Sequence, residues 1–362
     1  MFTDRDSRLG ISLATAVLLL VSSAAPADGP WQTISPGGQT RCATGTPYTF
    51  HVRRADPAKL MIFFNGGGAC WSAETCKAPG KDDPFLYRPS TRDGAGNHPA
   101  EFGGAFDLDN PDNPFIDWSQ IFVSYCTGDI HLGTRDVEYR PADGAAFTIH
   151  HRGLYNATAA LDYAFEQFAD PQRVLVAGAS AGAISSPVFA ARAADHWREA
   201  QVIHFAGGAG GYTIPDPAPL WKQWGVMAGL EMIVDAGGHT ADDLAILDLY
   251  RIAAKAHPRI RFNVYDNAYD AVQEKFQSML GQSNELLPGL RRNREVLRAI
   301  VPSLNSFIAG GNFHTVLRFD DLYTRCTDGV RAVHWLAAVS RGRDLDDVDC
   351  GAGEDCRTDC SE

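Results

Sequence analysis

The sequence predicts an α/β protein built on a doubly wound, mostly parallel sheet. Short apolar runs rich in β-branched residues alternate with helical patterns between about residues 30 and 340. Continuous apolar runs are typical of strands that are buried on both faces of a parallel sheet. No fixed repeat or low-complexity linker divides this region, so the alternation indicates one domain.

The individual elements follow from these patterns. Apolar runs predict buried strands at residues 60–64, 121–123, 174–176 and 260–264. Helical patterns predict helices over residues 154–168, 183–197, 241–256, 269–280 and 330–339. The stretch 77–118 is the longest irregular insertion, and a loop of that length is expected to shape a substrate cleft.

Composition excludes several classes of protein. The 362 residues are 45% hydrophobic and 10% aromatic, which excludes a disordered chain. The formal net charge of −12 argues against sequence-independent nucleic-acid binding, which needs clustered Lys and Arg. We therefore expect small molecules, neutral polymers or proteins as partners, and no nucleic acid.

The two ends of the chain differ from the middle. Residues 1–27 resemble an export signal, with Arg5 and Arg8 before an apolar run and a small-residue cleavage pattern at Ala25-Pro26-Ala27. The alternative is an uncleaved anchor, for which the apolar core is short. We expect cleavage, no later membrane contact, and a secreted or periplasmic protein. The catalytic domain is then 28–343, and 344–362 is an acidic, cysteine-rich extension, interpreted as a solvated surface tail.

The cysteines agree with an oxidising compartment. No C-x2-C pair or finger-like histidine spacing is present, so disulfides are favoured over a zinc site. Sequence alone does not determine their pairing, although Cys70 with Cys76 is the most local candidate. The eight candidates are Cys42, Cys70, Cys76, Cys126, Cys326, Cys350, Cys356 and Cys360.

A G-x-S-x-G motif marks the candidate nucleophile. It occupies Gly178 to Gly182, directly after an apolar strand pattern and directly before a helical one. This context predicts a nucleophile elbow of an α/β-hydrolase-like fold, in which the turn lifts the hydroxyl of Ser180 into the site. An ordinary glycine-rich βα turn is the simpler alternative.

A second glycine-rich turn, Gly66-Gly67-Gly68, follows the early strand 60–64. Glycines there let backbone N–H groups approach an oxyanion, so Gly67, Gly68 and Ala181 are the candidate donors of an oxyanion hole. No Gly-Lys-Ser/Thr follows either this run or the later run 207–211, which excludes a phosphate-binding loop. We interpret 207–211 as a flexible loop at the end of a strand.

A serine nucleophile needs a histidine and an orienting acid further along the chain. His314 lies in a polar loop just after the apolar run Phe307-Ile308-Ala309, which is where a catalytic histidine is expected. Asp266 and Asp270 both follow the strand pattern near 261–265, and spacing does not choose between them.

Taken together, these residues resemble the pectin acetylesterase and Notum-like carboxylesterase family. The resemblance rests on blocks at 41–48, 64–76, 125–133 and 178–182, and the later blocks 269–273 and 313–314 also look like the acid and histidine segments of that family. The match is weak in the insertion 77–118. It extends from about residue 31 to 340. It implies a Ser-Asp-His hydrolase that removes acyl groups from hydroxyls, favours Asp270 over Asp266 as the acid, and implies a disulfide between Cys42 and Cys126.

We therefore predict a secreted serine carboxylesterase with Ser180, His314 and Asp270 as its triad and an acylated polysaccharide such as pectin, or a small ester, as substrate. An esterase for lipid or lipidated-protein esters, and a catalytically dead carbohydrate-binding module, are the alternatives. We expect no cofactor, no metal and a monomer. An imidazole base predicts activity that falls as the pH drops through about 6 to 7.

Overall fold

The structure is a computed structural model that describes residues 1, 30–77, 86–282, 285–351 and 356. The expected signal, 1–27, lies outside the described residues except for Met1. In the described part of the chain the strands are β1 (Gln32–Ile34), β2 (Phe50–Arg53), β3 (Asp56–Phe64), β4 (Trp118–Val123), β5 (Arg135–Tyr139), β6 (Phe147–His151), β7 (Arg173–Ala179), β8 (Gln201–Gly207), β9 (Arg261–Asn267), β10 (Asn305–Ala309), β11 (Cys326–Thr327), β12 (Val330–Arg331) and β13 (Val348–Asp349).

Helices connect most of these strands. They are α1 (Ala73–Cys76), α2 (Gly153–Gln167), α3 (Ala181–His196), α4 (Ala218–Trp224), α5 (Val226–Ile233), α6 (Asp248–Ala256), α7 (Ala271–Met279), α8 (Leu286–Ile300), α9 (Asp321–Thr324) and α10 (Ala332–Val339). No helix within the described ranges is long and apolar enough to span a membrane.

One large sheet positions the candidate site. Its strand order is β1-β2-β4-β3-β7-β8-β9-β10-β13. The pairs β1–β2 and β2–β4 are antiparallel, and all pairs from β4 to β13 are parallel. Because parallel strands share one direction, the loops that leave β3, β7, β8, β9 and β10 all open at the same edge of the sheet.

The sheet is buried on both faces, as its apolar runs predict. In β3, Leu60, Ile62 and Phe64 belong to one apolar core, whereas Met61 and Phe63 belong to the core on the opposite face. Helices α2, α3 and α6 contribute to the first core and α10 contributes to the second. The α/β class and the doubly wound, mostly parallel sheet are thus confirmed.

Three predicted helices begin later than their patterns indicated, and the one expected over 269–280 begins only two residues later, at Ala271. The helix expected over 241–256 begins at Asp248, because the Asp248 carboxylate accepts the N–H of Ala245 and holds the preceding segment as a turn. The helix expected over 330–339 begins at Ala332, because Val330 and Arg331 pair with β11 as a short hairpin. Strand β8 and helix α8 lie where no element was predicted.

Three disulfides join described residues: Cys42–Cys126, Cys70–Cys76 and Cys350–Cys356. The first was implied by the family resemblance and the second by proximity in sequence, and both are confirmed. Cys326 is also disulfide-bonded, whereas Cys360 lies outside the described residues. A ring nitrogen of His151 lies within 4.8 Å of the sulfurs of Cys70 and Cys76. Those sulfurs are joined to each other in a disulfide.

The described part of the C-terminal extension is not the solvated tail that its composition indicated. Val348 and Asp349 form the edge strand β13 beside β10, and Val348 and Cys356 are buried. Asp349 forms ion pairs with Arg291 and Arg294 of α8. Charge pairing and strand addition therefore hold this acidic segment against the domain.

Candidate active site

Ser180 lies on the tight turn between β7 and α3. Its backbone angles are φ 54° and ψ −121°, a left-handed φ that residues other than glycine rarely adopt. A Cβ on Gly178 would overlap the carbonyl of Gly182, and a Cβ on Gly182 would overlap the carbonyl of Phe64. The turn is therefore strained at Ser180 and requires glycine on both sides, as a nucleophile elbow does.

The predicted oxyanion loop, Gly66 to Gly68, packs directly against this elbow. A Cβ on Gly66 would come within 2.5 Å of the Ala179 carbonyl oxygen. The carbonyl of Gly67 accepts the N–H of Arg88 at 2.9 Å. Because a trans peptide is planar, the N–H of Gly68 must point away from Arg88. Gly68 also lines the same cavities as Ser180, so the two residues lie beside each other in the candidate site.

Asn65 anchors the oxyanion loop from its N-terminal side. Its side-chain amide donates to the carbonyl of Gly96 at 2.9 Å and to the side chain of Asn97 at 3.0 Å. Its side-chain oxygen accepts from the guanidinium of Arg318 at 3.0 Å. Its backbone carbonyl bonds the Nε2 of His131 at 2.9 Å. Asn65 is fully buried, so these contacts fix the peptide from which the glycines extend.

His131 contributes a buried, neutral imidazole to this anchor. Burial lowers its pKa to about 4, so at neutral pH its Nε2 donates a proton to the Asn65 carbonyl without carrying charge. The backbone at His131 has φ 64° and is stabilised by Asp129, whose carboxylate accepts the N–H groups of His131 and Gly153. Motif reasoning missed this role, although the 125–133 block was part of the family resemblance.

His314 and Asp270 form a close pair at the same edge of the sheet. The Nδ1 of His314 lies 2.6 Å from the Oδ2 of Asp270, which is fully buried. Asp270 also caps α7, where its Oδ1 accepts the N–H groups of Val272 at 2.9 Å and Gln273 at 3.1 Å. The helix N-terminus favours a negative charge at this position. The structure thus pairs Asp270 with His314.

Asp266 occupies a different position, near the end of β9, where it contacts Gly210 and Gln273 and not His314. Its Oδ1 accepts the N–H of Gly210 at 2.9 Å and the Nε2 of Gln273 at 3.0 Å. Burial, together with the charge of Asp270, raises the pKa of Asp266 to about 7. Sequence spacing did not separate the two acids, but the turn between them places only Asp270 on the imidazole.

The open cleft over the site brings most of the predicted residues together. Ser180, His314, Gly67 and Gly68 all line it, and Ala181 follows Ser180 as the first residue of α3. None of the described residues that line the cleft is acidic, whereas three are cationic: Arg88, Lys275 and Arg318. The described carboxylates form no ion pair with these three side chains, although the charge of Glu101 acts on Arg88.

A second, narrow pocket meets the cleft at Ser180. Besides Gly68, Ser180 and Ala181, its walls are almost entirely apolar, and its cavity volume is about 40 Å³. Its apolar walls include Trp71, Ile184, Trp221, Ile246 and Phe276. The elbow therefore opens onto two chemically different spaces, one cationic and one apolar.

The fold and the elbow define an α/β-hydrolase-like protein. Residues 32–214, a little more than half of the chain, match the family model for pectinacetylesterase. The chain belongs to this family, which implies a carboxylic ester hydrolase. The matched region contains the elbow and the oxyanion loop and ends before Asp270 and His314. No curated protein matches the chain.

Proposed function

We propose that the protein is a serine esterase that removes acetyl groups from hydroxyls of a polysaccharide such as pectin. One observation carries the proposal: Ser180 and His314 line the same cleft, and the Asp270 carboxylate lies 2.6 Å from Nδ1 of His314. Asp270 on Nδ1 leaves Nε2 of His314 as the nitrogen available to a serine hydroxyl.

In this mechanism the Oγ of Ser180 attacks the acetyl carbonyl carbon while Nε2 of His314 takes its proton. The N–H groups of Gly67, Gly68 and Ala181 stabilise the oxyanion, and each such donor contributes on the order of 3 kcal/mol in the transition state. Collapse breaks the ester bond, and the imidazolium returns the proton to the departing sugar oxygen. A water molecule activated by His314 then releases acetate from the acetyl-serine.

The first test is hydrolysis of an aryl acetate by Ser180→Ala, together with labelling by a fluorophosphonate probe. We expect loss of both activity and labelling, with an unchanged melting temperature. Ser185→Ala is a matched control, because Ser185 is a buried serine of the same helix that does not line the cleft. Retained activity in Ser180→Ala contradicts the proposal, and absence of labelling in the wild type favours a catalytically dead binding module.

The charge of the cleft supports a polysaccharide that carries carboxylates. Arg318 is 5% exposed, and burial with the nearby charge of Arg88 lowers its pKa to about 9, so it stays cationic at neutral pH. A buried cation without a counter-ion costs several kcal/mol. An anionic group on the substrate would offset that cost, as a uronate next to the acetylated sugar does.

Acetylated polygalacturonate tests this point, because methyl esterification removes its charge and keeps its acetyl groups. We expect a higher kcat/KM for the free-acid form in the wild-type protein. Lys275→Glu should lower the ratio of free-acid to methyl-ester kcat/KM by about fivefold or more, as reversal of a close charge implies. Lys255→Glu, an exposed lysine outside the cleft, should keep the wild-type ratio. Equal ratios in all three proteins contradict carboxylate recognition.

Export of the protein is part of the proposal. Disulfides form and persist in oxidising compartments, and the three between described residues support a secreted or periplasmic location. N-terminal sequencing of the exported protein should begin at Asp28. An intact Met1 in the exported protein contradicts the cleaved signal.

The apolar pocket favours a second candidate, an esterase for longer acyl chains. Its walls offer almost no polar partner for a sugar, whereas burial of each CH₂ group contributes about 0.8 kcal/mol. Aryl esters from acetyl to dodecanoyl separate the candidates: an acetyl optimum supports deacetylation of sugars, and kcat/KM that rises with chain length supports the second candidate. Ile214→Phe, which narrows this pocket, should then lower the ratio of long-chain to acetyl hydrolysis.

A further inference from the structure

Gln273 links Asp266, near the end of β9, to Asp270, which follows this strand. Its Nε2 donates to the Oδ1 of Asp266 at 3.0 Å and to the Oδ2 of Asp270 at 3.1 Å. That Oδ2 is the same oxygen that bonds Nδ1 of His314. Gln273 and Asp270 are fully buried, and Asp266 is nearly so. One side-chain amide thus connects a second acid directly to the carboxylate of the proposed triad.

The orientation of the Gln273 amide is set by its other contact. Its Oε1 accepts the N–H of Gly211 at 2.9 Å, so its nitrogen must be the atom that faces the two carboxylates. Asp266 holds the neighbouring N–H of Gly210. The loop 207–211, expected to be flexible, is therefore pinned by both side chains. A Cβ on Gly208 would lie 3.2 Å from Cε1 of His314, so this loop also packs against the imidazole.

The charged and titratable groups around this unit are few. Asp270 acts on Asp266 from the start of α7, and the hydroxyls of Tyr212 and Tyr250 face it from the loop after β8 and from α6. The facing strand β10 contributes no titratable side chain. His314 shares the cleft with the three cations Arg88, Lys275 and Arg318. An ionised carboxylate of Asp266 has the opposite charge to these three side chains.

We propose that Asp266 and Gln273 form a positioning unit for the triad. Gln273 holds the Oδ2 of Asp270 toward His314, and the negative charge of Asp266 stabilises the imidazolium that forms when His314 accepts the proton of Ser180. Neither residue touches the reacting atoms. Asp266 offsets the cationic cleft, so that a site suited to an anionic substrate keeps a basic histidine. The inference rests on the proposed function.

Asp266→Asn tests this unit, since the asparagine oxygen can still accept from Gly210 and Gln273 while the charge is removed. We expect the acid limb of the kcat/KM profile for an aryl acetate to move to lower pH by up to about one unit, the effect of one charge across a partly buried site. Asp248→Asn is a matched control, because Asp248 is a buried aspartate of α6 that lies outside the cleft and outside the anchor of the oxyanion loop. It should leave the acid limb in place.

An unchanged acid limb in folded Asp266→Asn overturns the inference, and so does an equal shift in Asp248→Asn. A second measurement is the low-field NMR resonance of the proton between His314 and Asp270, which in the wild-type protein should move as Asp266 ionises near pH 7. The same titration curve in Asp266→Asn overturns the inference. Activity retained by Ser180→Ala instead indicates failure of the proposed function, and so separates the two.

Discussion

The proposed oxyanion hole depends on Gly68 having no side chain. Its φ is +77°, and a Cβ would overlap the carbonyl of Leu86. Relief of that overlap must move the peptide that carries the Gly68 N–H. We expect Gly68→Ala to lower kcat by roughly 10²- to 10³-fold, the effect of one misplaced oxyanion donor, measured with an aryl acetate.

Gly281→Ala is the matched control for this substitution. Gly281 has nearly the same φ, +74°, but no atom lies within 4 Å of the place that a Cβ would take. Both variants carry the cost of a left-handed alanine, about 1–2 kcal/mol, whereas only Gly68→Ala has the overlap. Equal kcat values for the two variants would show that the loop tolerates a side chain and would remove Gly68 from the hole.

Residues of the site differ in how far the sequence predicts them. Ser180 and His314 follow from local patterns, because a motif and a polar loop after a strand are contiguous in the chain. The choice of Asp270 depends on the turn at 267–270 and on helix capping, which spacing does not encode. Arg318 bonds Asn65 across 253 positions, and Gln273 is one of two glutamines on α7. Neither carried a local signal.

Elements were predicted best where burial gives a continuous apolar run. β3, β4, β7 and β9 all contain such runs, and all four are present. β8 was missed because His204 interrupts its pattern, and the structure shows why this polar residue is tolerated: its Nε2 bonds Ser186 of α3 at 2.8 Å. α8 was missed because Pro288 and Gly289 lie in its first turns, where helices accept proline.

The disulfides connect elements over very different lengths of chain. Cys42–Cys126 spans 84 positions and Cys70–Cys76 spans 6. In the chain-entropy model the stabilisation rises with loop length, to about 4–5 kcal/mol for the long loop and about 2 kcal/mol for the short one. We expect Cys42→Ala/Cys126→Ala to lower the free energy of unfolding by roughly 2 kcal/mol more than Cys70→Ala/Cys76→Ala, measured by denaturant titration.

Each double variant serves as the control for the other. All four cysteines are at most 2% exposed, so the packing cost of replacement by alanine is similar in both pairs. A larger loss from the short loop would contradict the entropy argument. It would instead indicate that Cys70–Cys76 stabilises the native segment after the oxyanion loop.

At the scale of the whole molecule, the net charge of −12 does not describe the site. Part of the acidity lies in the C-terminal extension, where arginines of α8 pair with Asp347 and Asp349. The cleft has the opposite sign because of Arg88, Lys275 and Arg318. Composition predicted the sign of the net charge of the molecule. The sign of the charge in the cleft depends instead on residues that the fold brings together from distant parts of the chain.

Buried titratable groups determine how the stability of the whole molecule should depend on pH. Burial lowers the pKa of four histidines, to about 4 for His51, His131 and His151 and about 3 for His204. The unfolded chain therefore binds protons at these positions first, and the stability they contribute is lost as the pH falls from about 6.5 toward 4. The raised pKa values of Asp129, Asp162 and Asp266 act in the opposite direction, because their native forms take up protons first.

The lowered pKa values of the four histidines outweigh the raised pKa values of the aspartates. We therefore expect the melting temperature to fall between pH 7 and pH 4 at fixed ionic strength. Calorimetry of wild type and His204→Asn tests this cause, because His204 is the imidazole whose pKa is lowered most. Its removal should reduce the slope of melting temperature against pH, whatever it does to the melting temperature at pH 7. A melting temperature that rises on acidification would mean that the aspartates with raised pKa values contribute more to the pH dependence than the histidines do. A slope unchanged in His204→Asn would mean that His204 takes up its proton equally in the native and unfolded states, which contradicts a pKa lowered by burial beside Ser186.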